Sequence, residues 1–476
     1  MRLHSSVSCL ASLAAIALAA PALADPRVPD PGFIYVDVNN DSLYSASDGD
    51  IAISTTLITN NGSFDTQKSE GSYHASCQAV SLVIPASQTV DTGALPMSLK
   101  AGKNLVVAGH LIAPSIKLQA GYNANLTHGI CDFQTTFTVC AGKDLTLDDA
   151  AITSTQPGST IYAGANRNVY ARATSVGHST NMLAGAAVDI EACGTATFVD
   201  AGISAIDQGS QVIIEASGNI NLGGTPYDPV TNPFGPGVTG LFSPATVSIL
   251  THCGNIVMSS AAITSGDTEI SSSSNIDLSS LFNFSNGSVE IHACKAVTGG
   301  SGTSIFAGSI SATGNSFVDL DSASLFGSTG TVNLASSCGT VSADLANIQG
   351  ATGVSLHGKY DVSAKGTQFT ADVFVKLLSD SGKVTSTDSR IVTPFSSTGA
   401  TVTVTSRGTV DISRADWTVP TAINVKSTIG NVLALNAKLT AAALSFYAGG
   451  GTINVTGATL VGTTTYGPSG VHVIGP

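Results

Sequence analysis

Charge is scarce in this chain of 476 residues: Asp, Glu, Lys and Arg make up 11% of it, against roughly 25% in an ordinary globular domain. Basic residues are scarcest, 19 against 32 acidic. That balance argues against nucleic acid or anionic lipid as a partner. Aromatic residues are also few, 6% with a single Trp. Trp417 and the scattered Phe and Tyr residues give no sign of an exposed stacking platform, and they read as part of a core. Beyond Ala24, no stretch approaches the unbroken apolar run of about 18 residues that a membrane helix needs, so no integral membrane segment is expected. Long disorder is excluded by an apolar content of 43%.

The segment 1–24 is expected to leave the mature chain. Arg2 precedes the apolar run "LASLAAIALAA", and Ala22-Leu23-Ala24 forms the small-x-small pattern of a signal-peptidase site. Without this segment the charge becomes −14, from 18 basic and 32 acidic residues. An exported protein follows, placed outside the cell, at its surface or in the periplasm.

What the chain has in abundance is Gly, Ser, Thr and Ala, interspersed with regularly placed Val, Ile and Leu. "SLKAGKNLVVAGHLIA" from Ser98, "IKLQAGYNANLTHGI" from Ile116, "FTVCAGKDLTLDDAAIT" from Phe137 and "IYAGANRNVYARATSV" from Ile161 are versions of one unit. Their Ala-Gly pairs begin at Ala101, Ala120, Ala141 and Ala163. Later units, such as "VTVTSRGTVDISRADWTV" from Val402, keep the alternation and lose the Ala-Gly pair. Alternation of period two places Val, Ile and Leu on one face of each short strand. A repeat of about 20 residues holding three such strands is the geometry of a parallel β-helix, whose coils bury their apolar faces only by stacking. A sandwich or antiparallel barrel needs hairpin turns and does not keep one such register. The expected fold class is therefore all-β, a parallel β-helix (β-solenoid). Its organisation is a signal peptide over 1–24, an N-terminal cap segment over 25–78 and the helix over 79–476.

The phrase "LxAGxxLxL…AxIxA", as in "LKAGKNLVVAGHLIAPS" and "VCAGKDLTLDDAAITST", resembles the haemagglutinin-type repeats of filamentous-haemagglutinin-like bacterial adhesins. The resemblance is clearest from Leu99 to about Ala173. It implies attachment at a cell surface, with a surface polysaccharide, a cell-surface receptor or an outer-membrane anchoring partner as the contact. The family's Asn-Pro-containing secretion motifs are not found near the start of the mature chain.

Catalysis finds little support. Asp148-Asp149, His128-Gly129 and His357-Gly358 are fragments of the pectin-hydrolase pattern, but Asn-Thr-Asp and Arg-Ile-Lys are absent, and the acidic pair reads as turn residues. The basic residues show no clustering with acids across successive coils, as a lyase would need. No catalytic residue is assigned, and the chain is read as a non-enzyme, with a carbohydrate-active β-helix and a passive scaffold in a surface-polymer complex as the competing readings. Threonine runs such as "TGATVTVTS" are too local for an ice-binding array and reflect strand propensity.

Two further features invite assignment. In "DVNNDSLYSASD", Asp37, Asn39, Asp41 and Asp48 occupy positions 1, 3, 5 and 12 of a calcium loop, with Leu43 offering its carbonyl and Ser45 a direct or water-bridged contact. Calcium is therefore a candidate structural ion and the only cofactor expected. The flanks "FIYV" and "DIAIS" read as strands, so an Asx-rich turn is the competing account. Seven cysteines outlast the leader, an odd number. Cys131 and Cys140, on either side of a short loop, are the candidate disulfide, with Cys77 as a competing partner. Cys193, Cys253, Cys294 and Cys338 recur at equivalent corners. Neighbours two coils apart lie roughly 9.6 Å from one another at the strand spacing, beyond disulfide reach, so these four are expected to fill inward corners as small apolar residues. His252-Cys253 and His292-Ala293-Cys294 lack a second pair to complete a zinc set.

Overall fold

The computed structural model describes residues 30–53, 63–65, 80–174, 178–224, 237–393 and 399–475. The leader, Cys9 and Cys77 lie outside them. The protein is all-β, with 59% strand and 1% helix, and its coils of about 21 residues stack in parallel as a β-solenoid. The chain divides into two compact units, Met1–Ser248 and Ile249–Pro476.

In the first unit, strand Ile34–Asp37 pairs antiparallel with Ile51–Ile53 on one side and with Ser81–Ile84 on the other. From Ser81–Ile84 onward the ladder is parallel, beginning with Leu82↔Leu105. The antiparallel strand thus covers the Ser81–Ile84 edge of the first coil, an edge that would otherwise offer unpaired N–H and C=O groups to another chain. Tyr35 and Tyr44 pack over Val83, with ring centroids 5.5 Å apart.

Inward positions form continuous rows because residues at period two point the same way and parallel pairing keeps the register. One row runs Leu99, Leu118, Val139, Ala163, Ile190, Ile214, every member buried. Each full burial of a Val, Leu or Ile is worth about 1.5–3 kcal/mol. In the second unit the corresponding row runs Ile270, Ile291, Ala312, Leu334, Leu356, Leu377, Val404, Val425, Phe446.

Corners carry polar ladders. In the first unit, Oδ1 of Asn104 accepts from Asn123 N (3.3 Å), Asn123 from Asp144 N (3.3 Å), Asp144 from Asn168 N (3.3 Å) and Asn168 from Thr195 N (2.9 Å). The Asn and Asp of "AGKNL", "AGYNA", "AGKDL" and "ANRNV" satisfy main-chain donors that the bend takes out of the sheet.

Register corrects the alignment of the fourth repeat. Ala101 pairs with Ala120 and Ala120 with Ala141, but Ala141 pairs with Ala165. Ala163 stands opposite Val139, two residues earlier. The Ala-Gly pair at Ala163 is therefore not the corner pair of the first three coils. The intervening coil carries extra residues between Thr153 and Thr160, which sequence spacing alone counts as repeat.

Candidate functional site

The N-terminal turn closes on its own hydrogen bonds. Asp37 receives Asn40 N on Oδ1 (2.6 Å) and Ser42 N on Oδ2 (2.8 Å), while Asn39 Nδ2 donates to Asp41 Oδ2 (3.2 Å) and Asp48 Oδ2 (3.3 Å). Three of the expected ligands, Asn39, Asp41 and Asp48, are thus brought together, and Asp37 is turned to the main chain. Leu43 donates its N–H to Asp41 Oδ1 (2.8 Å), and Ser45 Oγ sits 2.8 Å from Ser47 Oγ. Asp50, outside the motif, takes Val38 N and Ser45 N (2.9 and 2.8 Å), and burial pushes its carboxyl above the usual range. Asp37→Ala is expected to destabilise the cap by about 1–3 kcal/mol, the cost of orphaning the donors that Asp37 satisfies. An ion would add a calcium-dependent rise in melting temperature. A melt indifferent to calcium and to chelator would leave these hydrogen bonds as the whole role of Asp37.

The cysteine assignments need correction. Cys131 and Cys140 are both thiols on one strand, Ile130–Ala141. Cys131 pairs with Leu111 and Ile152, and Cys140 with Gln119 and Gly164. Strand that rises about 3.3 Å at each residue cannot bring these two positions within the 4.4–6.8 Å Cα range of a disulfide. Cys131 is buried, which pushes its thiol pKa up, and Cys140 is half-buried. Cys193, Cys253, Cys294 and Cys338 are exposed rather than inward. Cys193 and Cys294 come one residue after the last inward rung, Ala192 and Ala293. Cys253 and Cys338 come two after Thr251 and Ser336. Alternation turns the first of these positions outward, and the bend keeps the second there.

Acids and bases do meet across coils, contrary to the sequence reading. Arg172 Nη2 lies 2.8 Å from Asp148 Oδ2, Arg414 Nε lies 2.6 Å from Asp388 Oδ1, Arg167 pairs with Asp144, and Lys365 Nζ stands 3.5 Å from Asp344 Oδ2. In each pair the partners stand one coil apart, which hides them from a linear scan. Water and salt screen the Arg414–Asp388 pair, exposed on both sides, so it adds little to stability, whereas Asp148 is buried under its arginine.

In the second unit two outward features stand out. The first is a groove of about 770 Å³ lined by His292, Cys294, Asn315, Ser337, His357 and Asp380. His292, Thr313, Ala335 and His357 occupy one register row, and the small Ala335 leaves the hollow between the two imidazoles. His292 Nδ1 is 2.8 Å from Thr313 Oγ1, and His357 Nε2 is 2.9 Å from Asp380 Oδ1. The hydrogen bond to His357 holds the Asp380 carboxyl below its usual range, with Lys359 nearby. Among the residues lining the groove Asp380 is the one carboxylate, whereas glycoside hydrolysis uses two.

The second is an aromatic ladder. Phe284, Phe306 and Phe326 are consecutive partners in register, and all three face outward. Phe282 and Phe284 are 49% and 47% exposed. Ring centroids of Phe282–Phe306 and Phe306–Phe326 are each 6.0 Å apart. The expectation that strand aromatics belong to the core fails here because Phe282 and Phe284 fall on the outward parity of "LFNFS", between inward Leu281, Asn283 and Ser285. The ladder continues as Gln349 and Thr370, and its neighbour as Ser304, Ser324, Asn347 and Gln368. Trp417, by contrast, is fully buried.

A third group lies in the first unit. His128, Asp149 and His178 present ligand atoms all within 4.8 Å of one another. The pair at the strand corners was visible only as fragments, "THG" and "LDDA", because its members are one coil apart. No family model, curated protein or solved structure matches the chain, so its functional reading rests on these surfaces and on the stacked parallel coils that display them.

Proposed function

We propose that this chain is an exported, non-catalytic attachment protein that holds a surface polysaccharide along the outward ladders of its second unit, in keeping with its resemblance to filamentous-haemagglutinin-like repeats. The observation that carries this reading is the in-register ladder Phe284, Phe306, Phe326 with Phe282 beside it. A sugar ring turns a face of C–H groups to the electron-rich face of an aromatic ring, and one ring per coil repeats that contact along a polymer. The hydroxyl and amide rungs that follow, Ser304, Ser324, Asn347, Gln349, Gln368 and Thr370, suit a hydroxyl-rich chain. On the adjoining strands the row Ser311, Asn333, Ser355 extends the same chemistry. The named rungs are uncharged, and the Ser311 row carries Glu290 before it and Lys376 after it, a surface of mixed and sparse charge that favours a neutral polymer over a strongly anionic one. Many weak rungs in a fixed array add through effective concentration.

The triple substitution Phe284→Ala, Phe306→Ala, Phe326→Ala is the test. At about 1 kcal/mol per lost ring contact, binding to the recognised polysaccharide on a glycan panel should weaken on the order of a hundredfold. The urea midpoint should move little, because these rings are outside the core. Unchanged binding by the triple variant overturns the ladder's role. A deletion strain that attaches normally, with the protein wholly periplasmic on fractionation, overturns attachment itself.

A further inference from the structure

We infer that His128, Asp149 and His178 form a site for a divalent transition-metal ion of the zinc type, which ties His178 to two successive coils. Their ligand atoms lie within 4.8 Å of one another, and His128 Nδ1 is 3.6 Å from Asp149 Oδ2. At zinc bond lengths of about 2.0–2.2 Å, ligand atoms of a tetrahedral ion stand roughly 3.3 Å apart, so modest side-chain rotation completes the approach. Both imidazoles are exposed, which leaves room for that rotation. Two imidazoles and a carboxylate are a donor set suited to zinc and its neighbours rather than to calcium or magnesium, which prefer oxygen alone. The open side leaves a fourth position for water or for a group from a partner.

The carboxylate is already oriented for this role. The Asp149 side chain is only 1% exposed, and Thr174 donates to it from its main-chain N (3.0 Å) and from its hydroxyl. Such hydrogen bonds fix a ligating carboxylate in place. His128 and Asp149 hold equivalent corner positions, His128 N donating to Asp148 O (3.0 Å), and both adopt positive φ, 62° and 54°. That shared turn aims successive side chains to the same side of the stack. The cation nearest His178 in sequence, Arg172, is engaged by Asp148 at 2.8 Å and 3.2 Å, so its charge is met within the coil pair.

The measurement is titration of the full-length exported protein, without a histidine tag, with Zn²⁺ by calorimetry and with Co²⁺ by its visible absorption. One ion per chain is expected. His128→Ala and His178→Ala should each weaken it at least about tenfold, since loss of even an outer partner costs that much. Asp149→Asn retains a residue at home in the left-handed region and should weaken binding without unfolding the corner, as far-UV circular dichroism will report. His110→Ala removes another histidine, one paired with Asp132 at 2.8 Å, and should leave affinity unchanged. Absence of one-to-one binding, or affinity as sensitive to His110 as to His128 and His178, overturns the site.

Discussion

Replacing Trp417 with alanine should lower the stability of the second unit by about 3–5 kcal/mol, the range for deleting a large aromatic side chain from a core. Trp417 is 0% exposed and, among the described residues, the largest fully buried side chain. It stands in the inward row between Ile391 and Leu439, so the cavity opens in the middle of a stacked row that main-chain ladders hold apart on both sides. Its Nε1 donates to Ser389 Oγ at 3.0 Å. Ser389 keeps further contacts with Ser386 O (2.7 Å) and Ser386 Oγ (2.8 Å), so the hydroxyl is not orphaned when the indole goes. The cavity then accounts for most of the loss. Trp417→Phe should recover all but about 1–2 kcal/mol, the indole hydrogen bond plus the residual volume. Urea unfolding followed by circular dichroism compares the three proteins; an alanine variant within about 1 kcal/mol of the parent, far below the cavity range, would show that this level of the stack is not packed as described. In a solenoid the loss is felt first by the neighbouring coils, so protease cleavage near Trp417 should rise before global unfolding.

The fold was legible because two periodicities coincide. Alternation in "VTVTS" or "LKAGKNLVV" fixes which side chains face inward, and the repeat of the unit fixes parallel stacking. Inward rows such as Leu99, Leu118, Val139 follow from those two facts. What was not legible depended on exact coil length or on parity at a bend. The extra residues before Thr160 displaced Ala163 from the corner and put Ala165 there. A one-residue change of parity turned Cys193 and Cys294 to solvent, and the same parity put Phe284 outside while Val289, a few residues on, is inside. Sites assembled across coils were hidden for a related reason. Arg172 finds Asp148 at a sequence distance stretched by the extra residues of one coil, and His128 finds Asp149 at the ordinary coil period of about 21 residues, where nothing in the linear sequence marks the two as neighbours. A scan pairing each residue with those one coil ahead, whatever that coil's length, would have brought both to attention, along with many chance pairs.

The Ala-Gly motif itself makes the second large prediction, that Gly142→Ala costs about 3 kcal/mol or more, at or beyond the upper end of ordinary overpacking. A Cβ on Gly142 would lie 2.1 Å from Gly121 O and 2.7 Å from Gly121 C, and a Cβ on Gly121 would lie 2.1 Å from Gly102 O. Every one of these atoms is main chain, so no side chain can swing away. Relief requires the coils to separate at a corner closed by Gly142 N to Ala120 O (2.9 Å) and Lys143 N to Tyr122 O (2.6 Å). Glycine is needed at Gly142 for space, since its backbone is outside the left-handed region. The contrast is Gly240, around which an added Cβ meets nothing within 4 Å. There the same substitution should be neutral or stabilise by about 0.5–1 kcal/mol, because alanine has less freedom to lose on folding. Urea midpoints of the two variants should therefore separate, that of Gly142→Ala falling well below the parent and that of Gly240→Ala holding or rising. Equal, small shifts would mean that the Ala-Gly corner is looser than the 2.1 Å approach requires, and that the motif records composition rather than the packing of one coil's backbone on the next.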